Sequence, residues 1–295
     1  GFPFGEISSY ATQQNPTAAN IKPERNYTKD FGVSLGFFNN RLTFDAQYYY
    51  TTTKDLITRA SASRASGVQT AYMNIGELHN SGLNIDLGFT PIKGKDGSFE
   101  WSGKANFMTY KTIVDKVTDD ADEVGLLFSS SSLVNIYAAK GEEYPLIKGI
   151  AYQRDAEGHV IVDATSGNPL KTSNFVNLGV ATPDFIIGLS NSFSYKGVKL
   201  TAVGDFRYGG KFFSETKYQL AWTGNLVESA ENGRSGGFIF PNSVVDTNGD
   251  GVYETNTSVV TGGTTYSSYI NYWSTSSGYS GVAENFVLDG TAVKL

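Results

Sequence analysis

Between Phe31 and Tyr50 the chain reads FGVSLGFFNNRLTFDAQYYY, and its apolar positions recur every second residue. Phe31, Val33, Leu35 and Phe37 fall on one side and Gly32, Ser34 and Gly36 on the other. After Asn39-Asn40 the phase resumes with Leu42, Phe44, Ala46, Tyr48 and Tyr50 opposed by Arg41, Thr43, Asp45 and Gln47. Period two on both arms predicts a β-hairpin, and asparagine tolerates the positive φ of a tight turn.

Two further hairpins follow the same rule. Leu83, Ile85, Leu87 and Phe89 alternate with Gly82, Asn84, Asp86 and Gly88, and after the turn Lys93–Gly97 the residues Phe99, Trp101, Gly103, Ala105 and Phe107 alternate with Glu100, Ser102, Lys104 and Asn106. Phe185, Ile187, Leu189, Phe193 and Tyr195 begin the third, which turns at Lys196-Gly197 and returns through Leu200, Ala202, Gly204 and Phe206. The tail from Phe286 to Leu295 reads as the start of a seventh strand. The hairpins therefore span about 27–55, 80–110, 183–209 and 286–295, with polar loops at about 1–26, 56–72, 111–182 and 209–284. A small hairpin is expected near Arg154 to Val162 inside the 111–182 loop.

The connections strictly alternate between short and long. A soluble sandwich gives neither end of its sheet a reason to be systematically brief, whereas outer-membrane barrels have short periplasmic turns and long outer loops. Aromatics also gather at two heights. Phe37, Phe38, Phe89, Phe99, Trp101 and Tyr195 lie near the turns, and Tyr48 to Tyr50, Phe107, Tyr110 and Tyr208 lie toward the loops, as two interfacial girdles would. The expected fold is all-β: part of an antiparallel up-and-down transmembrane β-barrel of about seven strands. Seven is odd and single-chain bacterial barrels have an even number from 8 upward, so the wall is expected to be open.

Composition agrees. The 295 residues include no cysteine, two Met, 33 Gly, 18 Tyr and 19 Phe, which suits aromatic-rich β structure and excludes disulfides and cysteine-based metal sites. No apolar run reaches the roughly 18 to 20 residues of a spanning helix. Net charge is −6 without a basic stripe, so nucleic acid is not an expected partner.

Six ordered motifs resemble one family. Asn15-Pro16 with Ile21-Lys22-Pro23-Glu24, the Phe37-to-Leu42 turn, Asn74-Ile75-Gly76-Glu77 with Asn80-Ser81-Gly82, Thr182-Pro183-Asp184-Phe185, Asp205 to Gly210, and Asn285 to Thr291 with Val293-Lys294-Leu295 are similar to the SusC/RagA-type TonB-dependent outer-membrane transporters of Bacteroidetes. The resemblance implies a barrel of about 22 strands with a plugged lumen, of which this chain is a late portion without the plug domain. It further implies residence in the cell outer membrane, contact with outer-membrane lipid, uptake of an oligosaccharide or peptide substrate, a SusD-like surface lipoprotein partner, and energy from the TonB complex through the absent N-terminal region. The alternative expectation is a secreted or surface all-β carbohydrate-binding module, whose apolar faces would form a dry core.

Candidate chemistry is sparse. Asp246-Thr247-Asn248-Gly249-Asp250-Gly251-Val252-Tyr253-Glu254 has the D-x-N-x-D-G order of a calcium loop, with side-chain oxygens of Asp246, Asn248 and Asp250, the carbonyl of Val252, and Glu254 as candidate ligands; position 12 is Thr257 rather than glutamate. Tyr218, Trp222, Tyr266, Tyr269, Tyr272 and Trp273 could stack on a substrate or pack the loop itself. Arg41, Asp45, Gln47, Asp86, Glu100, Lys104, Asp205 and Arg207 are expected on the lumen wall as cross-strand charge pairs, with Arg207 also a candidate substrate contact. His79 and His159 read as surface histidines. No nucleophile stands beside a base, so no enzyme is expected, and no cofactor beyond the calcium candidate.

Overall fold

The computed structural model describes residues 17, 20–61, 70–74, 76–95, 98–118, 121–126, 133–231, 237–260, 272–273 and 278–295. Its wall is one antiparallel sheet of seven strands in strict chain order: β1 (Arg25–Phe37), β2 (Leu42–Lys54), β3 (Glu77–Ile92), β4 (Glu100–Lys116), β5 (Phe185–Tyr195), β6 (Val198–Tyr208) and β7 (Ala292–Lys294). Short turns join β1 to β2, β3 to β4 and β5 to β6. The other three connections are long.

Directly paired residues share a face of the sheet. Val33, Ala46, Ile85, Phe107, Ile187, Phe206 and Val293 form one continuous apolar row from β1 to β7. Leu35, Phe44, Leu87, Ala105, Leu189 and Gly204 form the next. Nothing in the described chain covers this face: Phe31 is 68%, Leu189 51% and Leu200 64% exposed. All the buried apolar clusters are built from loop residues, joined by Val114 and Val117 at the outer end of β4. A sandwich requires a core between two sheets, and the described residues place none on the wall.

Aromatic rings bracket the apolar band. Near the turns, Trp101 packs against Phe89 and Phe193, and Phe99 against Phe193. Toward the loops, Phe185 packs against Phe107, Phe206 and Tyr208. Phe185 and Phe193 lie on the same strand about 26 Å apart at 3.3 Å per residue, close to the height of a barrel's lipid-facing band. Tyr49 and Tyr110 do not join the outer girdle as expected. Both pair with Gly82, which places them on the polar face, and a Cβ on Gly82 would reach 2.5 Å from the Tyr49 ring.

The tight turns follow local chemistry. Lys196 and Gly197 carry φ of 47° and 83°, the two positive values of a two-residue hairpin turn. The first turn is longer than Asn39-Asn40 alone: Phe38, Asn39 and Asn40 are all at positive φ, and Arg41 N–H donates to the Phe38 carbonyl. Arg41 thus belongs to the turn and not to the lumen wall.

The long connections are ordered extensions of the wall. A six-stranded sheet runs Val176–Val180, Leu146–Gly149, Val134–Ala139, Glu123–Leu126, Ile57–Ser61, Thr70–Asn74, and so zips the first two long connections together. Val160–Val162 pairs in parallel with Ser243–Val245, tying the second to the third. The small hairpin near Arg154 is present, closed by the Arg154–Val160 bridge. The tail departs from expectation at its start. Val287–Asp289 pairs with Lys211–Phe213, the chain bends at Gly290, and the seventh wall strand begins at Ala292; Phe286 is fully buried among loop residues.

Candidate functional site

The polar face of the wall is a lumen surface assembled row by row. At one height stand Ser34, Asp45, Asp86, Asn106, Gly188, Asp205 and Lys294. The next row toward the loops carries Gly32, Gln47, Asn84, Met108, Ile186 and Arg207, and above it Asp30 and Tyr49 flank Gly82 and Tyr110. The expected cross-strand charge pairs are not formed here. Asp45 faces Asp86, like opposite like, and Asn106 Nδ2 donates to Asp86 Oδ1 in place of a cation. Ion pairs among the described residues sit instead at the outer rim and in the loops, as in Lys54–Glu77 and Lys111–Glu143. A groove of about 320 Å³ lies on the lumen face between Asp30 and Asp86.

Where the wall meets the loops, the short motifs come together. Asp184 N–H donates to the Tyr208 carbonyl at 2.9 Å, and Thr109 Oγ1 to the Asp184 carbonyl at 2.7 Å. Gly209 N–H donates to Thr291 Oγ1 at 3.0 Å, and Gly290 N–H to the Gly210 carbonyl at 2.8 Å. Gly209 and Gly210 both hold φ of 75°, which lets the chain leave β6 against Asp184 and Pro183. Lys211 Nζ pairs with Asp289 at 2.9 Å. The Asp289 carboxyl is held far below the usual range by the Thr291 hydroxyl first and Lys211 next. On the other side, Asn74 Nδ2 donates to the carbonyls of Lys22 and Asp55 while its Oδ1 accepts from Lys22 N–H. Thr182-Pro183-Asp184, Gly209-Gly210, Asp289-Gly290-Thr291 and Asn74 are therefore the fastenings between barrel and loops.

An uncovered apolar face, two ring girdles, a polar lumen face and alternating turn lengths describe a segment of outer-membrane barrel. The family of TonB dependent receptor-like β-barrels matches residues 2–226. The chain belongs to this family. It is 27% identical to TonB-dependent receptor P3 of Formosa agariphila over 68% of its length and 26% identical to TonB-dependent receptor SusC of Bacteroides thetaiotaomicron over 66%. The solved RagAB peptide transporter superposes with a TM-score of 0.55 at 21% identity over 69% of the chain, which shows a shared fold. The chain spans about a fifth of the length of these relatives, 22% of P3, 20% of SusC and 23% of the RagAB chain.

Within this TonB-dependent receptor barrel the aromatic candidates divide. Trp222 stands on the helix α1 (Glu215–Trp222) and is 46% exposed, and Tyr218 packs beneath it against Phe213 and Phe286. Tyr272 and Trp273 are buried with Val260, Phe238 and Tyr279 and present no ring to solvent. Tyr266 and Tyr269 lie outside the described residues. Arg207 is not near these rings; it lines the lumen and donates to the Ala181 carbonyl at 3.2 Å. Burial pushes the Tyr279 hydroxyl up to about 12, with Glu228 adding to the effect, so these phenols stay neutral donors.

The Asp246 loop is closed by its own backbone. Asp246 accepts from Gly249 and Gly251 N–H, Asn248 Oδ1 from Asp250 N–H, Asp250 Oδ1 from Val252 N–H, and Glu254 from the Thr247 hydroxyl. Asp246, Asp250 and Glu254 do not bring all three carboxylates within 4.8 Å of one another. A different trio does: Asp155, Glu157 and His159 bring ligand atoms within 4.8 Å of one another. The sequence offered only a D-x-E-x-H spacing for it. Its Asp155 carboxylate is occupied by the N–H groups of Glu157 and His159 and by His159 Nδ1 at 2.8 Å. His79 is likewise held, 2.8 Å from Asp115 and stacked on Tyr50.

Proposed function

We propose that this chain forms part of the wall and outer loops of an outer-membrane importer that takes up an oligosaccharide or peptide with a SusD-like lipoprotein over the loops and energy delivered through TonB. The observation that carries the reading is the single-layer wall whose apolar face has no core against it, because lipid is the solvent that such a face requires. The relatives are named as receptors and transporters, and no nucleophile–base pair on the described surface argues for chemistry instead. Binding belongs to the loops and lumen, with no covalent step.

The test uses the complete gene product. Membranes separated by density should carry it in the outer-membrane fraction, and deletion of the gene or of TonB should abolish growth on one polymeric nutrient. A product found in the soluble periplasmic or secreted fraction would overturn the reading. Co-purification with the product of a neighbouring lipoprotein gene supports the lid, and uptake unchanged without that gene removes it. The D-x-N-x-D-G order supports calcium at Asp246, Asn248, Asp250, Val252 and Glu254, and added Ca²⁺ should then protect this loop from protease.

A further inference from the structure

The three short turns lie side by side at the end of the wall away from the loops, each two strands from the next and so about 10 Å apart. Their sequences differ, yet each joins a cation to an exposed apolar side chain. The first sets Arg41 beside Phe38, a ring 77% exposed on backbone at positive φ. The second holds Lys93 and Lys95 between the exposed Ile92 and Phe99; Lys95 N–H donates to Ser98 Oγ at 2.7 Å and its carbonyl accepts from Ser98 N–H at 2.9 Å. The third places Lys196 Nζ 5.3 Å from the centre of the Tyr195 ring, next to Val198, 73% exposed. Asp96 offsets only one of the two lysines of the second turn, and Glu100 stands on the lumen row opposite Ser194, so each tip is net positive in a chain of net charge −6. The apolar partners continue the lipid-facing side: Ile92 pairs with Trp101, Trp101 with Phe193, and Tyr195 with Val198. At the edge of a bilayer such a side chain enters the hydrocarbon boundary while the neighbouring ammonium or guanidinium group reaches the headgroups.

Resting on the outer-membrane reading of this barrel, we propose that the three tips form a docking rim for anionic phospholipid, with Arg41, Lys93, Lys95 and Lys196 on the phosphates of the leaflet that faces the short turns. A soluble acidic macromolecule satisfies the cations equally well but leaves Phe38, Ile92 and Val198 in water. A lipid headgroup satisfies both halves of the repeated pair.

The full-length protein in detergent, titrated with dioleoylphosphatidylglycerol or dioleoylphosphatidylcholine and read by native mass spectrometry, tests the rim. Phosphatidylglycerol should bind in preference to phosphatidylcholine. Arg41→Gln with Lys93→Gln, Lys95→Gln and Lys196→Gln should lower its apparent affinity by about tenfold. Lys93→Arg with Lys95→Arg and Lys196→Arg keeps the charge and should keep the preference, which guards against a quadruple variant that fails to fold. Lys54→Gln with Lys111→Gln, at the opposite rim where Glu77 and Glu143 already pair these lysines, should leave binding unchanged. No preference for phosphatidylglycerol, an equal loss from the opposite-rim variant, or undiminished binding by the folded quadruple variant would overturn the proposal. So would retention of poly-glutamate without that preference, which would assign the cations to an acidic macromolecule. A protein that resides in the outer membrane and fails these tests defeats this inference alone; one found in the soluble fraction defeats the outer-membrane reading as well.

Discussion

Gly76 lies where the wall passes into its loops, at φ of 53°, and a Cβ there would fall inside contact distance of the carbonyl oxygens of Lys116 and Val117. Both penalties act together, so Gly76→Ala should cost at least about 2 kcal/mol, combining left-handed strain with a backbone clash. Gly141 also has positive φ, at 81°, but open space around its Cβ, and Gly141→Ala should cost only about 1 kcal/mol. Urea midpoints of the two refolded variants measure the difference; equal losses would mean that the Lys116 contact contributes nothing. The N-I-G-E motif was visible in the sequence, but its reason was not, because the colliding carbonyls come from forty residues away and only register brings them close. Leu189 tests the opposite face. It sits midway between the two ring girdles, so Leu189→Arg should cost about 2–4 kcal/mol in a bilayer, whereas Ser190→Arg on the lumen face should be nearly neutral. Similar losses at both positions would contradict the assignment of faces.

At the scale of elements, the hairpins were legible because lipid imposes a clean period of two. β5 and β6 end where the apolar alternation ends, and β2 runs four residues past it to Lys54. The loops were less legible for a physical reason: their strands are two to six residues long, and some draw partners from another loop, as Ile57–Ser61 does from Glu123–Leu126 and Val160–Val162 from Ser243–Val245, so no local window carries the pattern. The helix α1 had a weak signal in Ser214, whose side chain accepts from Lys217 N–H, followed by Glu215 in the first turn. The loops should also answer to pH differently from the wall. Burial works to raise the Asp155 carboxyl, but the His159 ring and the N–H groups of His159 and Glu157 outweigh it and hold the group below its ordinary 3.8. Asp163 is lowered by the Ser166 hydroxyl and N–H. A depressed folded value means that the stabilisation is complete above the ordinary value of 3.8 and is lost as pH falls through the folded value. The protection factors of the Glu157, His159 and Ser166 amides, exchange corrected for its intrinsic pH dependence, should therefore fall as pH drops below 3.8, while β5 and β6 amides stay protected. Exchange at these turns that ignores acid would refute the carboxylate as their anchor.

The whole molecule has two sources of stability that meet only at the rim. The wall has an apolar face turned to lipid and a continuous hydrogen-bond ladder between strands, whereas the cap formed by the three long connections has ordinary buried cores. Phe286 is at the centre of one of these, fully buried and in ring contact with Phe213, Tyr218 and Tyr279. Next to it the Asn285 amide donates to the Tyr152 hydroxyl and Glu284 receives Arg154, so one short stretch holds strands of the second connection to the helix of the third. Truncating such a ring removes burial and leaves a cavity, worth about 3–5 kcal/mol. If the two parts were one cooperative unit, Phe286→Ala would lower the stability of the barrel itself. Because none of the buried clusters among the described residues bridges the wall's apolar face to the cap, the loss should stay local. The expected outcome in the full-length protein is a cap cut rapidly by protease, together with a barrel that keeps its compact, heat-modifiable mobility in detergent gels. A variant that loses that mobility would show that the cap and the wall unfold together.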